Sequence, residues 1–369
     1  MSVEQRDVIW TLDRVCGYGC DFCCVDAFSV RKNGNSVGIK SNSLDLTIPS
    51  STSGTPYMQA ESALIERGLA LSVEEKLKVL DNLRGVNLQL GFSGGDLLLV
   101  RDNLEVVKKA SELFGRENIG LTATGMGMRI GKIQDYFDYI AQVEFTYDGI
   151  EDSEVNHNQL GYNNSNLRAF MELCRGKVTT QALIPISRSN ASPAVISNLY
   201  TTLRDAGVDK VYLMRTFPVG RGAATAEDLG AETYRATIEE YRRLQQELSG
   251  PEVNIMCALK NLFPGSTENP CTFFKSTVDI TSTGNAIVDA FAYNQFGEAL
   301  DPDLILGDLK TDRLVDILSQ DRVQSLAARV DENFGHCKIF AYLSDTSKGL
   351  DGFFQKTDPL YIDTNNNGK

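Results

Sequence analysis

An α/β fold is what the sequence predicts: six β/α units of a parallel barrel over residues 7–222, then a smaller C-terminal α+β region. Three observations carry this. Short β-rich runs alternate with amphipathic helical segments, as in a parallel barrel. Polar and glycine-rich turns follow the C-terminal ends of those runs, where barrels carry their functional loops. Beyond residue 250 the alternation gives way to Pro and Gly punctuation.

Composition narrows the function classes. The 369 residues suffice for one α/β domain of ~200–250 residues and an appendage. An apolar content of 42% and a charged content of 23% are those of a soluble globular protein. No apolar run approaches ~18 residues, and "MSVEQRDVIW" lacks the features of a signal peptide, so the expected location is cytoplasmic, without a membrane partner. In a reducing compartment, eight cysteines read as metal ligands or redox groups rather than disulfides. A net charge of −13 with no dense basic face argues against nucleic acid as a partner.

The first strand, "DVIWTLD" (7–13), leads into "VCGYGCDFCC" (15–24), which holds four of the eight cysteines. Cys16, Cys20 and Cys23 are spaced C-x3-C-x2-C. Structural zinc takes four ligands, commonly as paired knuckles or with histidine. No second knuckle follows, and the chain has only two histidines, His157 and His336. Three thiolates on one short loop suit three irons of a [4Fe-4S] cube, leaving the fourth iron open. Cys24, adjacent to Cys23, reads as a small packing residue. Residues 28–60, rich in Ser, Asn, Gly and Thr, read as a long excursion, either a lid or a disordered insert. "LSVEEKLKVLDNL" predicts a helix: Ser72 is its N-cap, Glu75 stands three residues on, and Val73, Leu77 and Leu80 share a face. "NLQLGFSGGDLLLV" (87–100) reads as a strand, a glycine pair and a helix entrance. Further strands are expected at 118–125, 142–149, 178–185 and 210–218. Helices are expected near 101–114, 131–140, 164–174, 194–206 and 226–248.

With Gly94, Gly95 and Asp96 one helix after the cysteine loop, the sequence resembles the radical SAM superfamily. The resemblance implies a partial (β/α)6 barrel in residues 1–224, a linking helix in 225–250 and a twitch/SPASM-like auxiliary domain in 251–369. In that family S-adenosylmethionine (SAM) chelates the open iron, the cluster's electron cleaves its C–S bond, and a 5′-deoxyadenosyl radical abstracts a substrate hydrogen. Phe22 matches the family's aromatic before the third cysteine. Gly94, Gly95 and Asp96 stand where its Gly-Gly-Glu-Pro type motif holds the SAM amino group, with Asp for Glu and Leu97 for Pro. Thr124 and Gly125 resemble a third-strand Thr-Asn-Gly turn. "FTYDGIEDSEVNH" resembles a Ser-x-Asp-Gly segment and places Thr146 at the SAM ribose. "PISRSN" places Asn190 where a polar residue touches SAM, and "MRTFPVGRG" resembles a sixth-strand ending with a Gly-Arg-Gly turn. For each of these residues a turn or packing role is the other reading. Arg215 is suited either to a carboxylate of SAM or substrate or to pairing within the fold. Asp148 reads as a turn former and His157 as a hydrogen-bonded structural residue. No catalytic residue is singled out.

In the C-terminal region "CTFFKSTVDITSTGNAIVDAFAYN" predicts a hairpin turning at Thr283-Gly284-Asn285. It resembles the twitch and SPASM hairpin, with Cys271 and Gly284 in place and Asp289 where the second cysteine stands. "LGDLKTDRLVDILSQDRVQSLAARV" resembles the segment preceding that region's last cysteines, and Cys337 follows it. Cys257, Cys271, Asp289 and Cys337 thus form either the ligand set of a second [4Fe-4S] cluster, with His336 as a rival fourth ligand, or a group of packing residues.

The substrate implied is a ribosomally made precursor peptide, and the "CCVDA" continuation resembles maturases of Nif11-type precursors. The expected partners are an electron donor such as flavodoxin or ferredoxin and a separate leader-binding protein. Two alternatives stay open. One is a radical SAM dehydrogenase, epimerase or decarboxylase acting on a sugar, nucleoside or other small metabolite. The other is a non-catalytic iron-sulfur protein, for which the Gly-Gly-Asp turn would have no use.

Overall fold

The computed structural model describes residues 5–125, 127–149, 164–263, 269–344 and 349–361, the side chains of 127–131 and 164–166 aside. The chain starts with β1 (Arg6–Asp13) and the short β2 (Val15–Cys16), which enters the cysteine loop. After that loop come β3 (Phe28–Asn33), β4 (Ser36–Lys40), β5 (Asp45–Pro49) and helix α1 (Pro56–Ile65). The barrel then runs through α2 (Val73–Asn82), β6 (Leu88–Gly94), α3 (Asn103–Phe114), β7 (Ile119–Ala123) and β8 (Gln142–Thr146). It continues with α4 (Asn164–Cys174), β9 (Thr179–Ile186), α5 (Pro193–Asp205), β10 (Lys210–Arg215) and α6 (Gly230–Leu248).

A ten-stranded sheet organises the molecule. Its order places β11 (Glu252–Ile255) beside β10, then β9, β8, β7, β6 and β1; past β1 lie β12 (Thr277–Ile280), β13 (Asn285–Ile287) and β14 (Ile305–Asp308). Every neighbouring pair from β11 to β12 is parallel, and β13 and β14 pair antiparallel. The six strands expected of the barrel are all present. Strand β11, within a segment that sequence read only as Pro- and Gly-punctuated, adds a further parallel strand. The expected hairpin forms as β12 and β13, and β12 lies in register with β1, Val8 opposite Val278 and Trp10 opposite Ile280.

Side chains alternate across this sheet with period two. On β1, Val8, Trp10 and Leu12 are buried while Ile9, on the other face, is exposed. The Trp10 ring lies 5.8 Å from that of Phe92 on the adjacent β6. The capping box read at Ser72 and Glu75 is present: the Ser72 side chain accepts from the Glu75 N–H at 3.3 Å, and the Glu75 carboxylate accepts from the Ser72 N–H at 2.9 Å. The segment near 131–140 forms 3₁₀ turns over Gly127–Tyr136 instead of the expected helix. The C-terminal region carries the helices α7 (Cys257–Lys260), α8 (Leu314–Leu318), α9 (Asp321–Ala328), α10 (Lys338–Leu343) and α11 (Asp351–Gln355).

Residues 28–60 are neither a bare lid nor disordered. They supply three strands, β3, β4 and β5, of a second sheet that β2 completes, and then enter α1. Val30, Val37 and Ile39 pack with Ala60, Leu64 and Leu99 in a small core separate from that of the barrel. Among the described residues, no helix is long and apolar enough to cross a membrane.

Candidate functional site

The loop after β1 is pinned at its base, where β2 pairs with β3 and Cys16 lies opposite Ser29. Inside it, the Cys23 N–H donates to the Cys20 carbonyl and the Asp26 N–H to the Cys23 carbonyl, both at 3.3 Å. Two sulfurs already receive backbone donors: Cys16 Sγ from the Tyr18 N–H at 3.4 Å and Cys23 Sγ from the Ala27 N–H at 3.3 Å. Cys16 is buried; Cys20 and Cys23 are half-buried. Burial pushes the Cys16 thiol up to about 12, with the charges of Asp96 and Cys23 adding to it. Cys20 is pushed well up by burial and then by its neighbours Cys16 and Cys23. Among the described residues no three ligating side chains converge on a single metal ion. A [4Fe-4S] cube does not need that, because each thiolate takes a different iron. Three thiols on one loop, two of them already accepting N–H groups, are a donor set that fits such a cube.

The Gly-Gly-Asp turn packs directly on this loop. The Gly95 N–H donates to the Asp13 carbonyl at 3.0 Å and the Asp96 N–H to the Val15 carbonyl at 2.8 Å. A Cβ at Gly94 would lie 1.9 Å from the Asp13 oxygen, and one at Gly95 would lie 2.0 Å from that of Val15. Glycine is required here by the approach of the strand ends, and at Gly94 also by a φ of +132°. Asp96 is fully buried; its Oδ1 accepts from the Leu98 N–H at 3.2 Å and its Oδ2 from the Thr124 hydroxyl at 2.5 Å. Two residues assigned to SAM, Asp96 and Thr124, are thereby brought together at the ends of β6 and β7.

The other assigned residues divide. Phe22 is half-buried between Cys20 and Cys23, and Thr146 is half-buried at the end of β8. Asn190 is buried and spent on its own turn and the backbone just past the end of β8: its amide donates to the carbonyls of Pro185 at 2.8 Å and Asp148 at 3.2 Å, and accepts from the Ser187 N–H at 2.8 Å. Arg215 pairs with Asp358, Nη1 to Oδ2 at 2.7 Å, and its guanidinium lies 3.4 Å from the Phe340 ring centre. Of the two readings open for Arg215, pairing within the fold is the one observed. Cys24 is half-buried against the barrel core, and burial, followed by the charge of Cys23, pushes its thiol up to about 12. His157 falls outside the described residues.

Sequence reading missed two residues that hold the loop. Arg221 donates from Nε to the Cys20 carbonyl at 2.8 Å and from Nη1 to the Ala27 carbonyl at 2.5 Å and Asp26 Oδ1 at 3.1 Å. Asp26, fully buried, also faces Arg14 Nη2 at 3.4 Å. Arg221 stood inside the quoted "MRTFPVGRG", so the signal was visible as the middle residue of Gly-Arg-Gly.

Members of the C-terminal set act on one another's charge, although among the described residues they form no group that could hold a single metal ion. Burial pushes the Cys257 thiol up to about 12, and nearby Cys271 and Asp289 push it the same way. Cys337 is buried and pushed well up, by burial first and then by Cys257, Asp358 and Cys271. Asp289 is pushed up to about 6 by burial, and its Oδ1 accepts from the Phe291 N–H at 2.8 Å. His336 is engaged elsewhere, with Nδ1 accepting from the Asp358 N–H at 3.3 Å. Beside the thiols lies fully buried Lys338, unforeseen from sequence, which donates to the carbonyls of Asn333 at 3.0 Å and His336 at 3.3 Å. Cys174, buried on α4, belongs to neither set.

The fold recurs in solved structures. Streptococcus suis SuiB bound to precursor peptide SuiA matches with a TM-score of 0.68 at 12% identity, over 97% of this chain and 76% of that one. The fold is that of the radical SAM enzymes. Native anSMEcpe with bound AdoMet shares the radical SAM fold with a TM-score of 0.57 at 15% identity, over 99% of this chain and 100% of that one. No family model matches the sequence, and no curated protein does.

Proposed function

We propose that the chain is a radical SAM enzyme that modifies a ribosomally made precursor peptide. The observation that carries the reading is the packing of the Cys16, Cys20 and Cys23 loop on the Gly94-Gly95-Asp96 turn, at the carboxyl ends of β1 and β6. When bound there, a [4Fe-4S] cube with SAM on its open iron supplies the reductive cleavage and hydrogen abstraction. The chain's own contribution is placement. Cys16, Cys20 and Cys23 would hold the cube, and Gly94 and Gly95 let the turn close on the Asp13 and Val15 carbonyls at the base of the cysteine loop. Asp96, buttressed by Thr124, presents a carboxylate to an ammonium group, and Phe22 and Thr146 line the same end of the barrel. The peptide substrate is supported by the likeness to SuiB, whose structures hold a precursor peptide in one case and S-adenosylmethionine in another. A low-potential donor such as flavodoxin or ferredoxin and a leader-binding protein complete the proposed system.

Cys257, Cys271, Cys337 and Asp289 are proposed to hold a second [4Fe-4S] cluster in a twitch-like domain, with Lys338 offsetting the thiolate charge. The deciding experiment is anaerobic reconstitution with SAM and a reductant. Formation of 5′-deoxyadenosine is expected from the intact chain and from Cys24→Ala, and none from Cys20→Ala. Full activity in Cys20→Ala would remove the assignment.

A further inference from the structure

The segment after β10 reaches back across the barrel and grips the cysteine loop at more points than loop closure alone would need. The Arg221 N–H donates to the Cys23 carbonyl at 2.9 Å. The Arg221 side chain spreads its planar fork over Cys20 O, Ala27 O and Asp26 Oδ1. Gly220 makes this approach feasible: a Cβ there would lie 2.3 Å from the Cys23 carbonyl oxygen and 2.4 Å from that of Cys24. Asp26 holds a left-handed backbone, φ +48°, uncommon for a residue other than glycine. Its carboxylate is shared by Arg14, Arg221 and the Asn42 N–H, the last at 3.0 and 3.1 Å. Asn42 lies in the turn between β4 and β5, and its amide also reaches the Gln295 carbonyl at 3.0 Å. Two arginines and one carboxylate leave an excess positive charge in this buried cluster. All three thiols feel it, since Cys23, Cys20 and Cys16 each act on the Arg221 guanidinium. Negative charge at Asp96 acts on Cys16, and that at Asp148 on Cys20.

We propose that Arg221 and Asp26 form a charge clamp that holds the cysteine loop and sets the reduction potential of the cluster bound there. The proposal rests on the cluster reading above. Reduction by one electron would add a negative charge to the cube, and a guanidinium fixed on the ligand loop and largely withdrawn from solvent favours that state over the oxidised one. Asp26 opposes it, so the two residues act on the potential with opposite sign while both acting on the loop's shape. Asn42 extends the clamp to the inserted sheet.

The test is a potentiometric titration of the full-length reconstituted protein, followed by electron paramagnetic resonance, with iron content measured alongside. Arg221→Met is expected to lower the reduced-to-oxidised ratio at fixed potential about tenfold, a negative shift of about 59 mV for one electron. Asp26→Asn is expected to shift the potential positively. Arg221→Lys keeps the charge and loses the fork, so it should hold most of the potential while retaining iron less well. An unchanged potential in Arg221→Met overturns the proposal, and so do shifts of the same sign in Arg221→Met and Asp26→Asn. Should Arg221→Met fail to fold, the Arg221→Lys and Asp26→Asn pair decides: a negative or null shift in Asp26→Asn overturns it. A wild-type chain that takes up no cluster sinks the cluster reading itself.

Discussion

Arg215 and Asp358 are 1% and 0% exposed as side chains, so their ion pair sits in the dry interior, with Phe340 flat against the guanidinium. Removing one partner of such a pair strands the other charge, which costs about 3–5 kcal/mol. Arg215→Met should therefore lower the denaturation midpoint strongly, and Arg215→Met with Asp358→Leu should recover most of the loss. A double variant no more stable than the single one would show that the pair contributes something other than charge balance. The guanidinium was visible in "MRTFPVGRG", but its partner was not, because 143 residues separate the two. The same limit applies to Asp26 and Arg221, which are 195 residues apart. By contrast, the three cysteines, Gly94, Gly95 and Asp96 were legible because each group is contiguous and chemically specific. Asn190 was legible as a polar turn residue, but nothing in a sequence says that its amide is consumed by Pro185, Asp148 and Ser187.

At the scale of elements, the strands of the barrel could be read because they are apolar on the helix-packed face and punctuated by turns. Strands β3, β4 and β5 are short and back onto a core of their own, with Ser, Asn and Thr on the outside, so their composition is that of a loop. What marks them is alternation alone: Val30, Val37 and Ile39 are almost fully buried while their neighbours are not. Val37→Asp would place an unpaired charge in that small core. It should open residues 28–65 to limited proteolysis while the barrel stays resistant. Iron uptake should also fall, because Cys16 is held in β2 by pairing with β3. A variant as protease-resistant as wild type would mean that the inserted sheet owes its order to the barrel and not to its own core. Strand β11 went unread because Pro251 and the residues around it look like a linker, whereas the neighbouring β10 supplies the pairing that makes "EVNI" a strand.

Across the whole molecule, the two cysteine sets are built from separate residues, one before β3 and one spread from α7 to α10. A variant lacking Cys16, Cys20 and Cys23 is therefore expected to bind about four irons after anaerobic reconstitution, and Cys271→Ala or Cys337→Ala in that background to release them. A triple variant that binds no iron would make Cys257, Cys271 and Cys337 packing residues and Asp289 a buried acid. The pairing of β12 with β1 has a consequence for biosynthesis. β1 leaves the ribosome well before its second neighbour in the sheet, which lies at Thr277–Ile280. Until that stretch is made, the strand that delivers the cysteine loop has an open edge, and contacts this distant in sequence form late. A nascent chain stalled before residue 277 should therefore expose Cys16, Cys20 and Cys23 to alkylation more readily than the completed chain does.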